Sequence, residues 1–151
     1  MANSAAVCTS FKAELLKGHH AFDTSVTRGA TTADTFKAAL YVTTATIGAA
    51  TTAYSSTNEV SGTGYTAGGT SVTNANAVAT SGTTAYWTPS ASFAWTTVTL
   101  STAFDCVLLY NSTQSNKAVA AYTFGASTVT AGNFTLTMPT NDSSNALLRL
   151  S

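Results

Sequence analysis

Charge is what this sequence has least of. Six bases and six acids occur in 151 residues, and charged residues make up 8% of the chain, against about 25% in an ordinary domain. The formal net charge is zero. With no basic excess to neutralise phosphates, the chain is not expected to bind nucleic acid or an acidic membrane surface. Cysteine is scarce too. Cys8 and Cys106 cannot build a disulfide framework. They can pair with each other, but no spacing demands it, and free thiols in a reducing compartment are the expectation. The two prolines, Pro89 and Pro139, fall at the ends of strand-like runs, where a missing donor does least harm. No apolar run approaches the ~18 residues of a membrane span. The opening MANSAAVCTS has neither a basic n-region nor an apolar h-region, so synthesis in the cytoplasm without a signal peptide is expected.

What fills the space left by charge is Ser and Thr, roughly a third of the chain. Threonine favours strands and is polar enough to face water from one. A chain rich in Thr and poor in Lys and Glu reads as all-β. Thr35 to Thr43, TFKAALYVT, alternates with Phe36, Ala38, Leu40 and Val42 on one face. Further strand-like runs follow at Ser71 to Thr73, Thr83 to Thr88, Phe93 to Leu100, Phe104 to Asn111, Ala118 to Phe124, Asn133 to Met138 and Ala146 to Leu150. Short strands with turn signals between them indicate a β-sandwich, here expected to be jelly-roll-like. DCVLLYNSTQSNKAVAAYTFG, from Asp105 to Gly125, reads as a hairpin with Asn111 to Lys117 as its exposed tip.

The one helical pattern is SFKAELLK, Ser10 to Lys17, with Thr9 or Ser10 as cap and Gly18 as stop. Two turns do not persist in water without packing. The spacing therefore divides the chain into an N-terminal arm, 1–34, and a sandwich domain, 35–151. The arm region carries four of the six bases: Lys12, Lys17, Arg28 and, at its boundary, Lys37. Phe11, Leu15 and Leu16 beside Lys12 and Lys17 form an apolar centre with a charged rim, a composition suited to a partner surface. On that reading, removal of 1–34 leaves a folded sandwich.

Signs of catalysis are few. The acids Glu14, Asp23, Asp34, Glu59, Asp105 and Asp142 are scattered, and no nucleophile elbow, HExxH or CxxC occurs. His19 and His20, adjacent and aimed apart on an extended chain, read as an exposed loop pair rather than metal ligands. GTGYTAGG lacks the Lys-Ser/Thr ending of a phosphate loop, so the glycines of Asn58 to Gly69 read as a structural corner. Trp87 and Trp95 flank a turn. They are expected in the core, with stacking on sugar rings the alternative. No enzyme activity, catalytic residue, metal or cofactor is expected.

Three stretches together, TFKAALYVTTATIGAATTAYSSTNEVSGTGYTAGGTSVTN, LLYNSTQSNKAVAAYTFG and FTLTMPTNDSSNALLRL, resemble small structural proteins of tailed bacteriophages. The resemblance covers about residues 35 to 151, and NEVSGTGYTAGG is its most specific part. It implies a virion protein and brings no catalytic residues. The implied role is capsid decoration, or cement: a homo-oligomer bridging major capsid protein subunits. Other virion proteins as partners, in a collar, tail or fibre, are the nearest alternative. A receptor- or glycan-binding module using Trp87, Trp95 and nearby tyrosines is the next, and a hydrolase the last.

Overall fold

The computed structural model describes residues 3–16, 19–22 and 33–150, without the side chains of Lys12, Ala13 and Leu16. The chain is all-β, with one short helix among the described residues. In order, the elements are β1 (Ala6–Val7), α1 (Thr9–Leu16), β2 (Phe36–Val42), β3 (Thr70–Ser71), β4 (Ala79–Ser81), β5 (Thr84–Trp87), β6 (Phe93–Asn111), β7 (Lys117–Leu136) and β8 (Leu148–Leu150). They form two antiparallel sheets, β1-β7-β6-β2-β3 and β4-β5-β8. This order gives no support to the jelly-roll expectation. One hairpin paired along its whole length, β6–β7, dominates the larger sheet, where a jelly roll would interleave two Greek keys.

That hairpin joins runs that the sequence shows as four separate strands. Its strands are 19 and 20 residues long. A straight strand places residues ten apart at about 33 Å, yet the rings of Phe124 and Phe134, both on β7, lie 5.4 Å apart. Both rings also meet Phe104, at 6.0 and 4.8 Å. The ribbon therefore folds back over itself. The pairing register slips repeatedly between Trp95 and Cys106, and Thr97 and Ala131 take positive φ. Such bulges are what bend a strand pair. The apolar residues thus face inward in both arms of the bend, while Thr123, Thr128, Thr130 and Thr135 alternate outward and exposed.

β2 and the lower half of the hairpin form the centre. Cys106 to Tyr110 and Ala118 to Ala121 are all buried, and so are Ala39 and Tyr41 beside Phe36, Ala38 and Leu40. The single-faced alternation expected for β2 is overridden, because both of its faces are covered. At the hairpin tip, Thr113, Ser115 and Asn116 are exposed, but Asn111 is fully buried. The exposed tip is thus shorter than the polar run suggests. Leu108→Ala, at a fully buried position, is expected to cost roughly 2–5 kcal/mol. Ser115→Ala, at the exposed tip, should change stability by no more than about 0.5 kcal/mol. Urea denaturation of the two variants checks this, and equal midpoint shifts would contradict the assignment.

The N-terminal region is not a free arm where it is described. β1 adds an edge strand to β7 through Ala6↔Ala121 and Val7↔Ala120. Cys8, Phe11 and Phe22 belong to the same core cluster as Phe36, Trp87 and Leu108. Among the described residues, no helix is long and apolar enough to cross a membrane.

Candidate functional site

Of the five residues expected to meet a partner, Phe11 is instead fully buried in the chain's own core. Its ring meets Phe22 edge-on at 5.9 Å and His20 at 4.8 Å. The helix is too short to stand alone, and α1 packs against β7 and, through Phe11, against His20 and Phe22. Leu15 is half-buried at the rim of an open apolar pocket of about 140 Å³. Phe11, Phe22 and Trp87 line that pocket together with Val78 and Leu150, the two exposed large hydrophobic residues of the described chain. Lys12 and Leu16 lie on α1 with side chains outside the described residues, and Lys17 lies outside them entirely.

Beneath the helix sits a polar cluster that joins three parts of the chain. Glu14 on α1 accepts from Lys117 Nζ at 2.8 Å through Oε1 and meets His20 Nε2 at 2.8 Å through Oε2. The second ring nitrogen of His20, Nδ1, meets Asn111 Nδ2 at 3.1 Å. Asn111 Nδ2 also donates to Asp34 Oδ2 at 2.8 Å, and Asn111 Oδ1 accepts the Thr113 and Gln114 amides, both at 3.1 Å. Asp34 in turn accepts the Ala21 amide at 2.9 Å. The expected exposed histidine pair is corrected for His20, whose side chain is 0% exposed. Burial is the larger influence on that ring and pushes its pKa below the ordinary value, against the opposing pull of Glu14. Burial acts to raise the Glu14 carboxyl, but Lys117 and His20 together hold it below its usual value.

A second cluster organises the NEVSGTGYTAGG stretch. Glu59 Oε2 accepts the Tyr54 hydroxyl at 2.6 Å. Glu59 Oε1 accepts the Tyr65 hydroxyl and the Gly68 amide, each at 2.8 Å. Tyr65 Oη accepts the Leu40 amide of β2 at 3.0 Å, and the Tyr110 hydroxyl of β6 donates to the Gly68 carbonyl at 2.8 Å. Burial first, and the Glu59 charge with it, hold the Tyr54 and Tyr65 phenols above their ordinary range. The carboxylate is occupied by the chain's own donors, and the stretch is a corner that fastens to β2 and β6.

Neither cluster contains a nucleophile beside a base. Cys8 and Cys106 are both buried and unpaired. Burial pushes Cys8 up to about 11 and Cys106 up to about 12, so neither thiol ionises near neutral pH. Both tryptophans are in the core, where Trp87 Nε1 donates to the Asn76 carbonyl at 3.1 Å. A stacking platform for sugar rings built on them is therefore not presented at the surface. Among the described residues, no three His, Cys, Asp or Glu side chains are grouped to hold a metal.

Sequence reasoning missed His20, Asn111 and Asp34. A weak signal existed: Asn111 is the first polar residue after the buried run CVLLY, directly opposite Lys117 in the hairpin register. Comparison of the chain with protein families, with curated proteins and with solved structures finds no match.

Proposed function

We propose that this chain is a structural protein of a tailed-bacteriophage virion, acting as a capsid decoration protein. The observation that carries the reading is the chain's charge-poor, hydroxyl-rich β surface. No charged residue occurs between Glu59 and Asp105 or between Lys117 and Asp142, and half of the exposed positions of β7 are threonine. Near-zero net charge leaves little repulsion between copies and favours association. The resemblance of NEVSGTGYTAGG and its companion stretches to phage structural proteins supports the same reading. Copies bridge neighbouring capsid subunits and form a homo-oligomer on the shell. A subunit that binds only the assembled shell stabilises it by its own binding free energy. The pocket rimmed by Leu15, Val78 and Leu150 is a better partner surface than the Phe11 side of the helix, because Phe11 is already buried.

Purified protein incubated with expanded shells that lack it tests this. Co-sedimentation, with a rise in the temperature at which shells rupture as occupancy increases, is expected. Failure to bind shells, with attachment to purified tails or collars instead, would move the protein to another part of the virion. Binding to glycans alone would overturn the virion reading.

A further inference from the structure

We infer that residues 3–16 and 19–22 are fastened to the tip of the β6–β7 hairpin by an acid-sensitive latch, in which the neutral His20 imidazole is the closing group. This rests on the hydrogen-bond geometry and stands whether or not the chain belongs to a virion.

The proton positions follow from Asn111. Its Oδ1 accepts two backbone amides, from Thr113 and Gln114, and its Nδ2 donates to the Asp34 carboxylate. Turning the amide over would set its NH2 against two N–H groups and its oxygen against a carboxylate. The orientation is therefore fixed, and Nδ2 must also be the donor toward His20 Nδ1. His20 Nδ1 accepts, so the proton of the neutral ring sits on Nε2 and is donated to Glu14 Oε2. A second proton has only Nδ1 to occupy, where it meets the Asn111 NH2 head-on.

Among the described residues, charged groups face the ring from each element packed on it. Glu14 from α1 and Asp34 from the segment before β2 favour the imidazolium. Lys117 at the start of β7 already neutralises Glu14 at 2.8 Å, and the neighbouring His19 opposes a second charge. The rings of Phe11 and Phe22, 4.8 and 6.2 Å from the imidazole, supply an apolar wall. Burial outweighs the carboxylates, and the folded-state pKa lies below the ordinary 6.5. The latched state then binds fewer protons than the open one. Its stability is complete above pH 6.5 and falls as pH drops below that value. Glu14, also lowered, adds a loss of the same sign only below its ordinary 4.5. The window between these two values isolates His20.

Opening lifts Phe22 from Phe36 and Trp87, against which its ring rests at 4.6 and 5.0 Å, and so exposes the floor of the apolar pocket. Mild acid thereby exposes the apolar side chains that Phe22 covers at neutral pH.

Hydrogen exchange of the full chain between pH 7.5 and 5, corrected for intrinsic exchange, tests the latch. The reporting amides are Cys8, bonded to the Val119 carbonyl at 3.0 Å, and Ala21 and Asp34, which bond each other's residue. Their protection should fall as pH drops from 6.5 to 5.5, by less than the roughly fivefold limit for one proton, while Leu108 in β6 keeps its protection. In His20→Gln, whose amide can both donate to Glu14 and accept from Asn111, the pH dependence should vanish. Independently of any variant, the His20 ring titration followed by NMR should give a pKa below 6.5. A ring that titrates at or above 6.5, or protection that is flat across the range, would overturn the latch.

Discussion

Gly69→Ala is expected to unfold the protein under conditions where the parent chain is fully folded. Two costs coincide at this position. Gly69 has φ +73, where an L side chain costs on the order of 1–2 kcal/mol. A Cβ there would also lie 1.9 Å from the Ala38 carbonyl oxygen and 2.7 Å from Ala39 Cα, which are main-chain atoms of a central strand and cannot turn aside. Relief requires moving β2, whose pairing with β6 runs from Phe36↔Asn111 to Val42↔Phe104. The combined loss should exceed about 4 kcal/mol, the range reserved for severe backbone or core damage. Gly82→Ala supplies the control. Gly82 has φ +59 but nothing within 4 Å of its added Cβ, so only the conformational cost of ~1 kcal/mol remains. Thermal unfolding of the pair should separate them widely. Similar melting temperatures would mean that the corner does not press on β2.

Deleting residues 1–34 should yield a chain that does not fold, in contrast to the separable arm that its charge pattern suggests. The deletion removes Cys8, Phe11 and Phe22 from the core and strips β7 of its edge partner β1. Each Phe lost from the interior costs roughly 3–5 kcal/mol even as a substitution to Ala. The deletion also leaves Asn111 and Lys117 without His20, Asp34 and Glu14. Buried polar groups stripped of their partners cost about 1–3 kcal/mol each. The total reaches or exceeds the 5–15 kcal/mol that holds a typical domain. Near-UV circular dichroism and the emission of Trp87 and Trp95 read the outcome, with loss of native signal expected. A soluble truncated chain that unfolds cooperatively would show that the sandwich is self-sufficient.

Much of the strand layout was legible in the sequence because it rests on local chemistry. β2 carries an alternating apolar run, β5, the lower hairpin and β8 each carry an apolar run ended by Pro, Asn, Gly or Ser, and the helix at Thr9–Leu16 has its cap and its stop. The return of the ribbon was not legible. GAST and TAGN look like loops, whereas the strand register shows that pairing continues through them and the ring contacts of Phe104, Phe124 and Phe134 show the bend. The polar cluster was hidden for a similar reason. His20 and Asn111 stand 91 positions apart, and Glu14 and Lys117 stand 103 apart, so no spacing rule links them. A basic, apolar helix reads as a docking patch when nothing in the sequence shows that Phe11 has already found its cover.

The proposed place in the virion is tested most directly by counting. Particles are purified from the host that produces them, and the band of this protein on a denaturing gel is scaled to that of the major capsid protein. Decoration predicts a ratio of the order of one copy, or one oligomer, per few capsid subunits. A trace ratio fixed at a few copies per particle would place the protein at a vertex or tail instead, and its absence from the particle would contradict the account.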